Sequence, residues 1–347
     1  MQVVLAYKNF AANRAISHIG LGVTALNAAK TIRAEGIDAS VWPITSATDL
    51  SNQLRSAQAS GSPATHVVVS APWLATVDLA RLCADFPDTQ FAVNCHSNLG
   101  FLQADPNAMR LVREGIDLQR CTWNFRIAAN SHRLARWVES AYAAPCLHLP
   151  NMYHLDGVSQ RRERYTGGTL RIGAFGATRA LKNLMTAAGA AVEIANGLRA
   201  DLEFWISAGR NEGGGSVVDA VRQMMNGLPH VKLIENGWQT WPQFRQTVRH
   251  MHLLLQPSYT ESFNVVTADG IAEGVPSVVS EAIDWVPANW KAKVDDAGDI
   301  ARVGRRLLAS RRAPRQGLAA LKKHNSRAMR IWKEYLYGSP AKIGVFS

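Results

Sequence analysis

The chain has 347 residues, more than a single hydrophobic core ordinarily serves, so two domains are expected. Apolar residues make up 47%, as in a globular protein, and no run approaches the roughly 18 apolar residues of a membrane-spanning helix. The formal net charge of +11 argues for an anionic partner: nucleic acid, an acidic membrane surface or a phosphorylated substrate. Cys83, Cys95, Cys121 and Cys146 show no metal-ligand spacing and read as reduced thiols. The opening MQVVLAYKNF enters a strand-like run without a secretory pattern. A cytoplasmic protein is the expectation.

In chain order, the first half alternates strand-like and helix-like runs. Residues 3–6 form a short apolar run. A turn at Gly20 and Gly22 is expected to precede a helix over 23–34, with Leu26, Ala29 and Ile32 at helical spacing and Gly36 as its cap. Residues 39–41, 65–69, 90–93 and 126–129 read as buried strands. Ser131 suits the N-cap of a helix through Leu134, Trp137 and Val138, and 146–149 closes this half as a strand. The polar, basic stretch 159–168 reads as a linker.

Beyond it a strand is expected at 170–174, a helix from about Asn183, a strand at 202–206 and a helix from about Ser216. A strand at 231–234 and a helix after Pro242 follow. Next come a strand at 253–255, a helix from about Asn264 and a strand at 277–280. The tail, 303–335, reads as helical and strongly basic, with Arg305, Arg306, Arg311, Arg312, Arg315, Lys322, Lys323, Arg327 and Arg330. Strands alternating with helices imply parallel sheets covered on both faces.

Two segments carry chemistry. In 257–281, Glu261 and Asp269 stand eight positions apart, one in a loop after a strand and one in the second turn of the helix. Carboxylates there suit sugar and ribose hydroxyls, and the helix N-terminus favours a phosphate. In 173–183, Arg179 and Lys182 follow a strand end just before a helix. Arg179 can grip phosphate oxygens bidentately and Lys182 adds a point charge. His96 follows a first-half strand. Gly213, Gly214 and Gly215 lack the Lys-Ser/Thr of a phosphate-binding loop and read as a flexible loop. Trp238 and Trp241 suit either stacking on a flat ring or packing.

These segments resemble retaining glycosyltransferases of the GT-B architecture, especially the large GT4-like group. The family's donor signature is a Pro-Ser strand end, Glu-x7-Glu, then a Pro-Val-Val strand. Here the second Glu is Asp269, and the Gly-Phe-Gly after the first is Ser262-Phe263-Asn264. The family's Gly-Arg-x4-Lys-Gly element has a shorter counterpart in Arg179-x-x-Lys182, with Asn183 in place of glycine. The resemblance implies an α/β fold of two doubly wound Rossmann-like domains facing each other across a cleft. The first, 1–160, would lie on the acceptor side. The second, 168–324, would bind a nucleotide sugar, and a helix at about 325–347 would pack back on the first.

It also implies roles. Arg179 and Lys182 would hold the donor diphosphate, with Gly22 giving backbone access. Glu261, with Ser262, Phe263 and Asn264, would hold the donor sugar, and Asp269 the ribose. His96 would contact the sugar from the opposite domain. No carboxylate is placed as a double-displacement nucleophile, so front-face departure and attack is the expected mechanism. A UDP- or GDP-sugar would be the donor, with no further cofactor and no obligatory metal. Among acceptors, charge favours DNA bearing a hydroxymethylated pyrimidine, as in phage-type DNA glycosyltransferases, over lipid-linked or lipopolysaccharide saccharide at a membrane surface. A non-catalytic nucleic-acid-binding protein and a sugar-nucleotide epimerase are the readings from other classes.

Overall fold

The computed structural model describes residues 1–9, 18–155, 163–208 and 215–338. Its described residues divide into two compact units: 1–9, 18–154 and 325–338 form the first, and 155, 163–208 and 215–324 form the second.

The first unit runs β1 (Gln2–Lys8), α1 (His18–Ala34), β2 (Asp38–Ile44), α2 (Ala47–Ala59), β3 (His66–Ser70), α3 (Thr76–Asp85), β4 (Gln90–Cys95), α4 (Leu99–Leu102), α5 (Pro106–Cys121), β5 (Phe125–Ala129), α6 (His132–Tyr142) and β6 (Leu147–His148). Its six strands are parallel, in the order β2-β1-β3-β4-β5-β6. Alternation along β1 sends Val4 and Ala6 to one face and Val3 and Leu5 to the other. Helices cover both faces, which is why β3 is buried at every position.

The second unit runs β7 (Thr169–Ala174), α7 (Leu184–Leu198), β8 (Asp201–Ser207), α8 (Gly215–Met225), β9 (Val231–Asn236), α9 (Trp241–Arg249), β10 (Leu253–Gln256), α10 (Val265–Ala272), β11 (Ser277–Val279) and α11 (Ala297–Ala309). Its sheet is also parallel, in the order β11-β10-β7-β8-β9. The chain winds outward from β7 to β9, then returns to lay β10 on the other side of β7. The last helix, α12 (Ala313–Tyr337), has its first half in the second unit and its remainder, from Asn325, in the first.

Two local expectations change. Gly20 and Gly22 are not a turn before α1 but lie inside it. The helix buries Ala25, Ala28, Ala29 and Ile32 at i, i+3, i+4 and i+7. Gly22 brings its first turns against the strand, since a Cβ there would meet the Tyr7 ring at 3.1 Å. The basic tail is not one helix. Ser310 is extended, and its hydroxyl accepts from the N–H of Ala313 at 3.2 Å. That bond starts a new helix, and Pro314 fits its first turn.

Helices α2, α3 and α5 were not anticipated, although α5 buries Ala108, Leu111, Val112, Gly115 and Ile116 at i, i+3, i+4, i+7 and i+8. Their starts are nonetheless set locally. Ser46 caps α2 and Asp105 caps α5, each side chain accepting a backbone N–H three residues on, at 3.1 and 2.9 Å. Ser131 stands at the N-cap of α6, without a side-chain capping bond. The second half of α12 buries Ala328, Met329, Trp332, Tyr335 and Leu336 in the first unit's core. The Trp332 indole donates to Pro150 O at 2.9 Å, so this large ring is buried with its polar group satisfied. The expected linker 159–168 and the Gly213-Gly214 pair lie partly or wholly outside the described residues.

Candidate functional site

In the second unit the strand order reverses between β7 and β10, and open parallel sheets bind ligands outside the carboxyl ends of strands at such a point. The loops leaving these two strands carry the two segments singled out in the sequence. After β7 come Gly176, at φ +120°, then Arg179, a single 3-10 turn over Ala180–Lys182, and Asn183 at the start of α7. After β10 come Pro257, Ser258, Glu261 and Asn264, which caps α10.

The two loops are sewn together. Tyr259 N donates to Leu181 O at 3.0 Å. Asn183 Nδ2 donates to Pro257 O at 3.1 Å and to Val294 O at 2.6 Å. Lys182 Nζ forms an ion pair with Glu261 Oε1. The same oxygen accepts from Ser258 Oγ and Asn264 Nδ2, both at 2.9 Å. Asn264 also donates to Gln256 Oε1 at 3.1 Å, while its own oxygen accepts from Thr267 N at 2.8 Å.

Glu261 is thus a carboxylate only 7% exposed and held by a cation and two neutral donors, as a buried charge requires. Asn183 and Asn264, which stand where the signatures that these segments resemble have glycine, both have positive φ, 58° and 66°. Asparagine is the non-glycine residue that most readily takes this conformation. Here it also adds a side-chain amide that ties one loop to the other.

Arg179 stands beside this group. Burial holds its guanidinium below the ordinary value while the Glu261 charge opposes the shift, and it stays a cation at any working pH. Thr178 Oγ1 donates to Ser207 O at 3.2 Å, and Gly176 N to Ser207 Oγ at 3.3 Å. A cavity opens here, lined by Gly176, Thr178, Lys182, Leu184, Ser207 and Gln256. It adjoins the N-terminus of α7, a 15-residue helix whose first N–H groups and dipole favour an anion. The chemical capacity is clear: two cations and a helix start stand beside a buried carboxylate.

Asp269 belongs to a different hydrogen-bond group. It is 1% exposed, and its Oδ1 accepts from the Trp241 indole at 2.9 Å. Arg245 lies 5.6 Å from the centroid of the Trp241 ring and, with Arg249, pairs with the buried Glu273. This α9–α10 contact gave no signal in the sequence. Phe263 does not present its ring outward but stacks on Trp285, at 5.1 Å and 22°, with His324 as the third ring. Ser262 is half-buried, and Trp238 is 42% exposed.

In the first unit, His96 follows β4 and is half-buried. Asn130 Nδ2 lies 3.4 Å from its Nδ1, an arrangement that makes Nδ1 the acceptor and puts the proton on Nε2. Burial pushes its pKa down to about 4, so the ring is neutral. Gly22 lies in α1, as described above. Among the described residues no cluster of His, Cys, Asp or Glu could hold a metal ion, and no helix is long and apolar enough to cross a membrane.

No protein-family model and no curated protein matches the sequence. Solved structures do match its fold. The N-terminal domain of Candida albicans trehalose-6-phosphate phosphatase superposes with a TM-score of 0.65 at 10% identity, over 99% of this chain and 97% of that one. The E. coli trehalose-6-phosphate protein bound with UDP-2-fluoro glucose gives 0.60 at 8%, over 99% and 100%. A variant of S. aureus TarM in complex with fondaparinux, alpha-GlcNAc-glycerol and UDP gives 0.59 at 10%, over 78% of this chain. The chain spans 55% of the TarM chain. With these neighbours, the two parallel-sheet units have the GT-B fold.

Proposed function

We propose that the chain is a glycosyltransferase, moving a sugar from a nucleotide-sugar donor to a hydroxyl group. The observation that carries this reading is the β7–β10 crevice, where Arg179, Lys182 and Glu261 converge at the start of α7. Two of the fold neighbours hold UDP or a UDP-sugar, which makes UDP the first donor nucleotide to test and GDP the second.

In this reading Arg179 and Lys182 hold the diphosphate. In transfer, the bond from the anomeric carbon to the diphosphate oxygen breaks and the bond to the acceptor oxygen forms. The acceptor's proton leaves with the departing diphosphate. Negative charge grows on that leaving group, and fixed cations stabilise it without reorganising. Attack from the face of departure retains the anomeric configuration.

Glu261 holds Lys182 in place through Oε1 and serves the donor sugar's hydroxyls, with Ser262 and Asn264 beside it. The Phe263 ring braces that loop by packing, and its proposed donor contact is through the backbone. Asp269 serves the ribose end, with Trp241 fixing its carboxylate. His96 is the first unit's proposed contribution to catalysis. Neutral, with Nε2 protonated, it donates a hydrogen bond rather than a charge.

Charge by itself supports an anionic acceptor, DNA with a hydroxymethylated pyrimidine ahead of a membrane surface. Arg311, Arg312, Arg315, Lys322, Lys323, Arg327 and Arg330 are all exposed.

The test of the donor half is thermal. UDP or GDP should raise Tm in buffer containing a chelator, by the equivalent of about 2.7 kcal/mol at a hundredfold excess over Kd. Arg179→Ala should remove most of that shift. Equal shifts in wild type and variant would exclude the diphosphate role. Mass spectrometry of acceptors then separates a transferase from an epimerase, which would bind the same donor and modify no acceptor.

A further inference from the structure

Ser258 and Asn264, the two neutral donors to the Glu261 carboxylate, are themselves held by a third loop. It leaves β11, which pairs with β10 at Gln256 and Val279, and runs from Ser280 to Lys291. Ser280 is buried and donates through Oγ to Ser258 O at 2.5 Å. Its Oγ accepts from Ala282 N at 3.2 Å, so the hydroxyl is fixed from both sides. Trp285 donates through Nε1 to Phe263 O at 2.7 Å and stacks its indole on the Phe263 ring. His324, from the part of α12 in the second unit, completes a triangle of rings whose centroids lie 5.1, 5.2 and 5.6 Å apart.

Each of these bonds stands one step behind a donor to the carboxylate. Ser258 offers its hydroxyl to Glu261 Oε1, and its carbonyl is fixed by Ser280. Asn264 offers its amide to the same oxygen, and the peptide before it is fixed through Phe263 O by Trp285. Asn264 has φ +66°, a conformation that few non-glycine residues take. Rotation of the 263–264 peptide would swing its side chain away from Glu261. The third loop is stiff enough to act as a brace. Ile283, Val286 and Trp290 are buried, and Ala292 N donates to Val279 O at 2.8 Å, closing the excursion on the strand it left.

We infer that Ser280 and Trp285 are positioning residues, which hold the backbone of 258–264 so that Glu261 keeps one orientation toward the donor sugar. The inference rests on the glycosyltransferase reading above and assigns neither residue a contact with substrate. The physical reason is preorganisation. A flexible carboxylate stabilises a transition state fully only when it need not be ordered at that moment. Ser258 and Asn264 sit on a loop between a strand and a helix, and their geometry is no better fixed than that loop. Two side-chain bonds and a ring stack from a closed neighbouring loop supply the missing rigidity at both ends of the segment.

The experiment is a double-mutant cycle read by consumption of UDP- and GDP-sugars, with UDP and GDP affinity measured separately by calorimetry. Trp285→Phe keeps a ring on Phe263 and removes the indole N–H. Ser280→Ala removes the other bond and carries the test should Trp285→Phe not fold. Each should lower kcat about tenfold. Each should leave UDP and GDP affinity within about twofold, because the diphosphate lies with Arg179 and Lys182. In a Glu261→Gln background the same substitutions should cost less than about twofold, since a residue acting through the carboxylate has little left to lose once that charge is gone. The same fold loss in both backgrounds would overturn the inference, as a merely structural role predicts. So would equal losses of turnover and diphosphate affinity, or unchanged turnover in both single variants. If the wild-type protein consumes no nucleotide sugar, the glycosyltransferase reading falls first and this inference with it.

Discussion

The two units are built alike and provisioned differently. Each is a parallel sheet with helices on both faces, and each gathers polar side chains at the carboxyl ends of its strands. In the second unit those ends carry charge: Arg179, Lys182 and the buried Glu261. In the first unit they carry carboxamides and a neutral imidazole, with Lys8 beside them. The same backbone scaffold therefore presents a charged edge in one unit and a largely neutral one in the other. Function in such folds resides in what the strand-end loops present.

The largest expected effect tests the charged edge. Glu261→Gln keeps the shape and most of the hydrogen bonds but removes the charge that faces Lys182. Turnover should fall about 10²–10³-fold, with nucleoside diphosphate affinity changing far less. Glu261→Ala should also cost about 3–5 kcal/mol of stability, because Lys182 is left without its buried partner, as denaturant titration would show. If the Gln variant instead lost nucleotide binding and kept turnover, the roles of the two edges would have to be redrawn.

A second expectation concerns the first unit's buried imidazole at the amino end of β3. Burial pushes His66 down from 6.5 to about 4. The unfolded chain therefore takes up a proton first, and stability from this group is complete above pH 6.5. It is lost as pH falls from 6.5 toward 4. At about 1.36 kcal/mol per unit, His66 accounts for roughly 3 kcal/mol of acid lability. His66→Leu should flatten the stability–pH curve over that window. An unchanged slope would mean that other groups set it.

The third expectation concerns Asp269. Trp241→Phe deletes the indole N–H that the buried carboxylate accepts, a loss of about 1.5–3 kcal/mol for a bond to a charged group. Tm should fall, and nucleotide affinity should weaken as Asp269 loses its orientation. A fall in Tm with unchanged nucleotide affinity would confine Asp269 to a structural role.

The smallest effect lies on the exposed cations. Arg311→Glu with Arg312→Glu should change stability by no more than about 0.5 kcal/mol per site. If DNA binds this surface, the salt dependence of its affinity should become shallower by about 0.9 in log–log slope per lost contact. An unaltered slope would remove these two residues from any DNA contact.

Much of the strand content was legible because buried parallel strands are short apolar runs between turn residues. Residues 66–70 and 253–256 are buried at every position. Helices with clean stripes, such as α1 and α6, were legible for the same reason. Helix α2, which buries only Leu50 and Leu54 and starts on the Ser46 cap, was not, whereas α5 carries a stripe at helical spacing that the reading passed over. The glycine pair misled, since a helix uses Gly22 for close approach to Tyr7 as readily as a turn uses glycine for its freedom.

At the candidate site the sequence by itself determined residue types and local placement: cations before one helix, a carboxylate before another, each just beyond a strand. It also placed Asn183 and Asn264 where family glycines stand, and asparagine is able to take the positive φ found there. Only the tertiary structure decided which loops would meet. Lys182 and Glu261 are 79 residues apart, and they form a pair because β10 lies beside β7 rather than beyond β9. The hydrophobic period of a strand specifies which faces it buries, not which strand it pairs with. That choice is made by long-range packing of the whole sheet, and the Trp241–Asp269 bond and the carboxamide edge of the first unit follow from the same kind of choice.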